Sequence, residues 1–123
     1  MQFSEDFDPS NNIITRYGPG FIDVRDERHT RSIFVFPDQP VEPWDCEQIS
    51  AATAEELATI LDYKPELVVI GSGPDFAFPD IHVQLGLQQH GIGCEVMASA
   101  AACRTYNVLI SERRRVVAAL LLP

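Results

Sequence analysis

Two stretches of the sequence carry residues of the types that bind small anions. Gly71-Ser72-Gly73 follows the apolar run 67–70, and Ser99 precedes three alanines, with Arg104 and Asn107 beyond them. The N–H groups of a glycine turn, the N–H groups at a helix start and a guanidinium all suit an anion. The candidate ligand-binding residues are Gly71, Ser72, Gly73, Ser99, Arg104 and Asn107.

The same residues also have a purely structural interpretation. The glycines would permit a tight turn, Ser99 would only cap the helix that follows it, and Arg104 would pair with Glu95 or Glu112. Asn107 lies one helical turn beyond Arg104, and backbone groups are its expected partners. The sequence favours this interpretation and leaves ligand binding open as the alternative.

No complete catalytic set is evident in the sequence. Cys103 has no histidine near it along the chain, and a buried cysteine on the core face of a helix is the commoner arrangement. Ser72 is not in a G-x-S-x-G elbow, and its glycine turn lacks the length of a dinucleotide fingerprint and the lysine of a P-loop. His90 and Cys94 lack the paired cysteines of a zinc site. We predict no cofactor and no metal, and the sequence favours a protein without enzymatic activity.

The second half of the chain alternates between buried strands and helices, an order typical of a parallel sheet. The continuously apolar residues 116–122 indicate that 115–122 is a strand in the middle of that sheet, covered on both faces. Crossover connections give parallel neighbours, so the strands that end at Ile70 and Met97 should emerge side by side. The predicted elements are strands at 66–70, 94–97 and 115–122 and helices at 80–90 and from Ser99 to about Arg114.

The first half predicts an antiparallel β-meander of about three strands, at 12–17, 21–24 and 29–36. A proline-rich loop follows, which Trp44 should pin to the core. Thr53 and Glu56 match a capping box for a helix that runs to about Tyr63. The expected fold is a single α/β domain over 1–123, with three layers, a central mixed sheet and the meander beside it, and with residues 1–10 disordered.

Charge is distributed unevenly along the chain. The formal net charge is −9, the acidic residues are concentrated in residues 1–80, and the chain has a single lysine, Lys64. Nucleic acid is therefore an unfavourable partner, whereas the acidic half could face a basic protein. No apolar run is long enough to span a bilayer, and no signal peptide is evident. With three cysteines and no disulfide pattern, we expect a cytoplasmic protein that does not insert into membranes.

The strings Met97…Ser99 and Ala102-Cys103-Arg104-Thr105-Tyr106-Asn107-Val108-Leu109 resemble a known family. It is a family of small α/β domains of unassigned function in many bacteria and archaea, and it includes the mitochondrial respiratory complex I assembly factor 3. The resemblance extends to Val68-Val69-Ile70-Gly71-Ser72-Gly73 and, more loosely, to Ile14 and Tyr17. It implies the same three-layer architecture and a role in assembling a membrane or respiratory complex.

We therefore expect a non-enzymatic protein-interaction or assembly module with a protein partner. The alternative is a small-anion or small-ligand binding domain, or a weak enzyme, with its pocket at the C-terminal ends of the parallel strands. As an oligomeric state we expect a monomer or a weak homodimer, the latter through an exposed edge of the C-terminal strand.

Overall fold

The computed structural model describes residues 10–123, which form eight strands and three α-helices. In chain order these are β1 (Ile14–Gly18), β2 (Phe21–Val24), β3 (Glu27–His29), β4 (Ile33–Val35), β5 (Glu42–Pro43), α1 (Ala58–Tyr63), β6 (Leu67–Gly71), α2 (Ile81–Gln89), β7 (Gly93–Met97), α3 (Ser99–Ser111) and β8 (Val116–Leu120). Two 3₁₀ turns, Ile49–Ala51 and Glu55–Leu57, precede α1. Disorder is predicted for residues 1–10, and residues 1–9 lie outside the described range.

The strands form two sheets. The smaller is antiparallel, in the order β1-β2-β3, and the larger is mixed, in the order β5-β4-β8-β6-β7. β8 pairs in parallel with β6 and antiparallel with β4, and all five of its residues are buried. The predicted central position of this strand is confirmed. The hypothesis of a dimerisation edge there is wrong, because both sides of β8 are already paired.

Alternate residues of the mixed sheet enter two hydrophobic cores. Val68 and Ile70 of β6 pack with α1, α2 and the loop around Trp44. Leu67 and Val69 pack on the opposite face with α3 and the three-stranded sheet. The predicted three-layer α/β architecture with an N-terminal meander is confirmed. Within residues 10–123, no helix has the length and apolarity needed to cross a bilayer.

The predicted third strand at 29–36 is in fact two strands in different sheets. β3 completes the meander, and β4 joins the mixed sheet beside β8. The chain is redirected at Ser32, whose carbonyl accepts from the Trp44 N–H at 2.9 Å and whose hydroxyl donates to the Cys46 carbonyl at 2.6 Å. These bonds also hold Trp44, which stacks on Phe34 at 5.1 Å and is buried, as predicted.

The helix boundaries follow local rules. Half of the predicted capping box forms, since Glu56 Oε1 accepts from the Thr53 N–H at 2.9 Å. α1 ends at Tyr63 and is followed by Lys64, which adopts the left-handed conformation directly before Pro65. α2 begins after Asp80, whose carboxylate accepts from the His82 N–H at 2.8 Å, and Gly91 follows it with φ +71.

Candidate functional site

The carboxyl ends of β6 and β7 bring the two polar stretches of the sequence together. The Gly73 N–H donates to Ser99 Oγ at 2.8 Å, and the Ser99 N–H donates to the Gly73 carbonyl at 2.9 Å. Next to them, the Ser72 N–H donates to the Met97 carbonyl at 2.8 Å. The predicted proximity of the glycine turn and Ser99 is confirmed, and hydrogen bonds within the chain hold it.

Ser99 does not cap α3, contrary to the prediction. Ala98 occupies the cap position without a side-chain hydrogen bond, and Ser99 is already the first helical residue. Its fully buried hydroxyl lies against β6 and accepts the Gly73 N–H there instead. The tight connection from β7 to α3 explains this result, because only Ala98 lies between Met97 and Ser99.

Each glycine of the turn has a packing or conformational reason. A Cβ atom on Gly71 would lie 2.7 Å from Ser99 Oγ and 2.9 Å from Leu120 Cδ2, so no larger residue fits between α3 and β8. Gly73 has φ +108, a conformation that side-chain-bearing residues rarely adopt. Both glycines are therefore needed by the fold itself.

The loop after the turn is fixed by Ser72. Its hydroxyl donates to the Asp75 carbonyl at 2.8 Å and accepts from the Ala77 N–H at 3.1 Å. Ser72 is itself buried. These bonds give residues 72–77 a defined shape on the surface.

A cleft of about 610 Å³ opens beside this loop, between residues 44–50 and residues 72–78. We call it the groove. Its floor includes the buried side chains of Trp44, Ile49 and Leu121. Its charged lining residues are Arg31, Asp45, Glu47 and Asp75, all of them exposed. The groove therefore carries three carboxylates against one guanidinium.

Arg104 and Asn107 lie away from the groove and hold the three-stranded sheet against α3. The buried Asn107 amide donates to the Ile14 carbonyl at 2.8 Å and accepts from the Ile14 N–H at 3.0 Å. Its predicted backbone partners are confirmed. Arg104 Nη1 donates to Tyr17 Oη at 2.6 Å, so the predicted pairing with Glu95 or Glu112 is wrong.

An apolar patch lies next to the groove and consists of Phe76, Phe78, Ile81 and Leu85. The exposed fractions of Phe76 and Phe78 are 56% and 64%, and their rings meet edge to face at 4.8 Å. Ile81 and Leu85 lie one turn apart on α2, with exposed fractions of 59% and 41%. Phe78 also lines the groove, so the patch adjoins the groove at this residue.

The cysteines are poorly placed for nucleophilic chemistry. Burial raises the pKa of the Cys103 thiol to about 12, and burial with the nearby Glu95 raises that of Cys94 to about 11. Burial, with the nearby Glu56, also raises the pKa of Cys46. Since the thiolate is the reactive form, all three remain protonated near neutral pH. In residues 10–123, no three His, Cys, Asp or Glu side chains come together as a metal site.

Of the predicted site residues, Ser72 and Gly73 line the groove, and Gly71 and Ser99 lie directly behind them. Sequence reasoning missed the residues around them, namely Asp45, Glu47 and Phe78. The run Phe76-Ala77-Phe78-Pro79 was the available signal, because it is too short for a strand and lies between a turn and a helix. Without the fold, its aromatic residues could equally have been buried.

The fold has counterparts among known proteins. An uncharacterised protein of Rhodobacter capsulatus is 35% identical over 110 residues, which are 88% of this chain and 82% of that protein. A crystal structure of a Bordetella parapertussis protein superposes with a TM-score of 0.87 and 35% identity, covering 93% of this chain and 98% of that one. Both similarities extend over most of the domain.

A more distant relative carries a functional name. The NADH dehydrogenase [ubiquinone] 1 alpha subcomplex assembly factor 3 of Xenopus tropicalis is 38% identical over 64 residues, which are 52% of this chain and 35% of that protein. A family model described as "Protein of unknown function (DUF498/DUF598)" matches residues 14–121. This match spans nearly the whole described domain, and the chain therefore belongs to the DUF498/DUF598 family.

Proposed function

We propose that this chain is a non-enzymatic protein-interaction module that takes part in assembling a membrane-bound respiratory complex. The observation that carries the proposal is the apolar patch. Two phenylalanines with more than half of their surface exposed contact each other, and they are followed along the chain by Ile81 and Leu85, which are also exposed on α2. Contiguous exposed apolar surface of this kind marks interaction sites, and aromatic residues are enriched at interface centres.

The patch is presented on a fixed scaffold. Ser72 shapes the loop that carries the two phenylalanines, and the Asp80 carboxylate fixes the start of α2 behind them. Binding at a preformed surface costs little conformational entropy in this protein, because its loop is already ordered. The two exposed phenylalanines are therefore suited to binding, since they lie on a loop that hydrogen bonds hold in place.

A partner protein with basic residues beside apolar ones is the occupant that fits the surface. Asp75 and Asp80 flank the phenylalanines in the sequence, and the groove adds Asp45 and Glu47. Asp80 contacts His82 at 2.7 Å, but in the described part of the chain Asp45, Glu47 and Asp75 form no ion pair. The name of the Xenopus relative supports assembly as the context.

The proposal includes a cytoplasmic location, supported by three free cysteines.

Small-ligand binding is the alternative, through Gly71, Ser72, Gly73, Ser99, Arg104 and Asn107. The open groove beside Ser72 and Gly73 is the observation in its favour. Addition of phosphate, nucleotides or organic acids to the ¹⁵N-labelled protein tests it. We expect no shifts of the 72–78 amides. Saturable shifts of these amides would favour the ligand-binding function.

Site-specific photo-crosslinking in the native cells tests the proposed function. A photoreactive amino acid at position 76 should crosslink to subunits or assembly intermediates of a membrane-bound NADH dehydrogenase. The matched control is position 108 on α3, where Val108 has an exposed fraction of 54% outside the patch. Crosslinks to such subunits from position 76 alone support the proposal. An equal yield from both positions, or none from position 76, contradicts it.

A second measurement follows the complex itself. The double change Phe76→Ser and Phe78→Ser should lower the amount of assembled complex on native gels, while the amount of this protein stays constant. Val108→Ser should leave both unchanged. A normal amount of complex in the double variant would contradict a role for the apolar patch in assembly.

A further inference from the structure

We propose that the groove binds an extended segment of the partner protein that carries an apolar side chain flanked by lysine or arginine. This inference rests on the proposed function and specifies the chemistry of the partner. It places the recognised segment between residues 44–50 and residues 72–78, with the apolar patch as the adjoining contact.

The apolar part of the recognition comes from the floor and one wall. Trp44, Ile49 and Leu121 are buried under the groove, and Phe78 forms an exposed aromatic wall. A volume of about 610 Å³ lies within the range of pockets that enclose small ligands. It therefore accommodates a few side chains of an extended segment and not a folded domain.

The charged part comes from the rim. Asp45, Glu47 and Asp75 are exposed and, in the described residues, make no ion pair, while Arg31 is the single cation among the lining residues. Carboxylates around an apolar floor attract lysine and arginine and disfavour acidic segments. A cation that enters the groove can also lie over the face of Phe78.

The same geometry argues against an anionic occupant. The Gly73 N–H, which would otherwise face an anion at the end of β6, is already bonded to Ser99 Oγ, and the Ser72 N–H is bonded to Met97. Three carboxylates would repel a phosphate or an anionic lipid headgroup. The arrangement therefore favours a basic protein segment over both.

Both walls of the groove are preformed. On one side, Ser32 is bonded to the backbone of Trp44 and Cys46 at 2.9 Å and 2.6 Å. On the other side, Ser72 is bonded to the backbone of Asp75 and Ala77 at 2.8 Å and 3.1 Å. The partner segment is then the only element that must become ordered on binding.

Selection from a random peptide library displayed on phage tests the inference with the full chain immobilised. Enriched peptides should combine a large apolar residue with neighbouring lysine or arginine. Binding of a synthetic copy of the most enriched peptide should weaken about tenfold when Asp45→Asn, Glu47→Gln and Asp75→Asn are combined, and its salt dependence should flatten. Phe78→Ser should weaken it without changing the salt dependence.

The control is a triple variant with the same change in net charge, made at exposed carboxylates outside the groove lining. Glu27→Gln, Asp62→Asn and Glu112→Gln should change peptide affinity by less than about twofold, since the effect of charge falls steeply beyond the Debye length. An equal loss in both triple variants overturns the inference, as does enrichment of acidic peptides or of none.

Flotation with vesicles separates a protein partner from a membrane. The chain should not float with vesicles of phosphatidylcholine and phosphatidylglycerol. Flotation that is lost with Phe76→Ser and Phe78→Ser would overturn the inference in favour of a lipid surface. Crosslinks from position 76 to respiratory subunits together with failed peptide selection would contradict the binding of a basic segment in the groove and leave the assembly function standing. Specific basic peptides without those crosslinks would instead remove the assembly function.

Discussion

The side of α3 that meets the three-stranded sheet and the groove beside β6 both carry polar groups, but they use them in opposite ways. On α3, Asn107 and Arg104 are bonded to the three-stranded sheet, at Ile14 and Tyr17. In the groove, the carboxylates of Glu47 and Asp75 face solvent, and neither forms an ion pair within the described residues. The two regions are built from residues of similar polarity, so residue type alone does not distinguish them.

The difference shows how the polar residues divide between folding and binding. A buried polar group must be satisfied inside the protein, and its partner is then fixed by the fold. A charged group on the rim of a cleft is satisfied by water and can exchange that water for a ligand. Substitutions on α3 should therefore change stability, and substitutions in the groove should change binding.

Asn107→Ala should give the largest loss of stability. The change removes the amide that satisfies both the N–H and the carbonyl of Ile14, and Ile14 is fully buried. Leaving two buried backbone groups without partners should lower the free energy of unfolding by about 2–4 kcal/mol. Urea denaturation followed by circular dichroism measures it.

The matched comparison for this prediction is Phe78→Ser in the groove wall. Since Phe78 is mostly exposed, its loss should change the free energy of unfolding by less than about 0.5 kcal/mol. A stability loss at Phe78 similar to that at Asn107 would show that the groove, too, is part of the structural core. The contrast between the two regions would then not hold.

Gly71→Ala should have the next largest effect. The added Cβ would meet Ser99 Oγ at 2.7 Å and Leu120 Cδ2 at 2.9 Å, so α3 or β8 must shift. Overpacking of this kind costs about 1–3 kcal/mol. The control is Gly86→Ala on α2, where the new methyl meets Ala54 Cβ at an ordinary 3.6 Å. That change should stabilise the protein by about 0.5–1 kcal/mol, because alanine favours the helix. Thermal unfolding of both variants checks the opposite signs.

Arg104→Ala separates the structural and the ligand-binding interpretations of α3. Arg104 is exposed, and its guanidinium donates to Tyr17 Oη at 2.6 Å. Loss of this hydrogen bond should lower stability by about 0.5–1.5 kcal/mol and leave binding of the groove-selected peptide unchanged. Weaker peptide binding at unchanged stability would contradict the assignment of Arg104 to the fold.

The sequence predicted much of the fold because its second half follows simple rules. The unbroken apolar run 116–122 required a central strand, and β8 is central. The prediction of a third meander strand at 29–36 was wrong, and the residue pattern itself indicates why. Ile33 and Val35 alternate with Phe34 and Phe36, so apolar side chains point to both faces. That pattern indicates a strand covered on both sides, and β4 indeed lies between the two cores.

The site was harder to predict than the fold. Proximity of Gly71-Ser72-Gly73 to Ser99 followed from parallel strands. Nothing local indicated that Ser99 would bond to Gly73 instead of capping its own helix, because that choice depends on how closely β6 and α3 pack. The groove also joins residues near 45 and 75, which are distant in sequence. Only the tertiary fold brings these charges together.

Removal of the ion pair between Asp23 and Arg28 should have the smallest effect on stability, and the size of this effect should depend on pH. Arg28 donates to both Asp23 carboxylate oxygens, at 3.0 Å and 3.2 Å. These hydrogen bonds from Arg28 lower the pKa of Asp23 from its ordinary 3.8, despite opposing desolvation. A carboxyl whose pKa is lowered by folding stabilises the protein above its unfolded pKa, and this contribution is lost as the pH falls through the folded pKa.

Asp23→Asn should therefore lower the free energy of unfolding at neutral pH. The difference in that free energy between the variant and the wild type should narrow as the pH falls below about 4. The effect should be small and reduced by salt, because the Arg28 side chain has an exposed fraction of 53%. Urea denaturation from neutral pH to about pH 3 measures it, with Asp62→Asn as an exposed control. A constant difference across this range would mean that Asp23 stabilises β2 by packing and not by its charge.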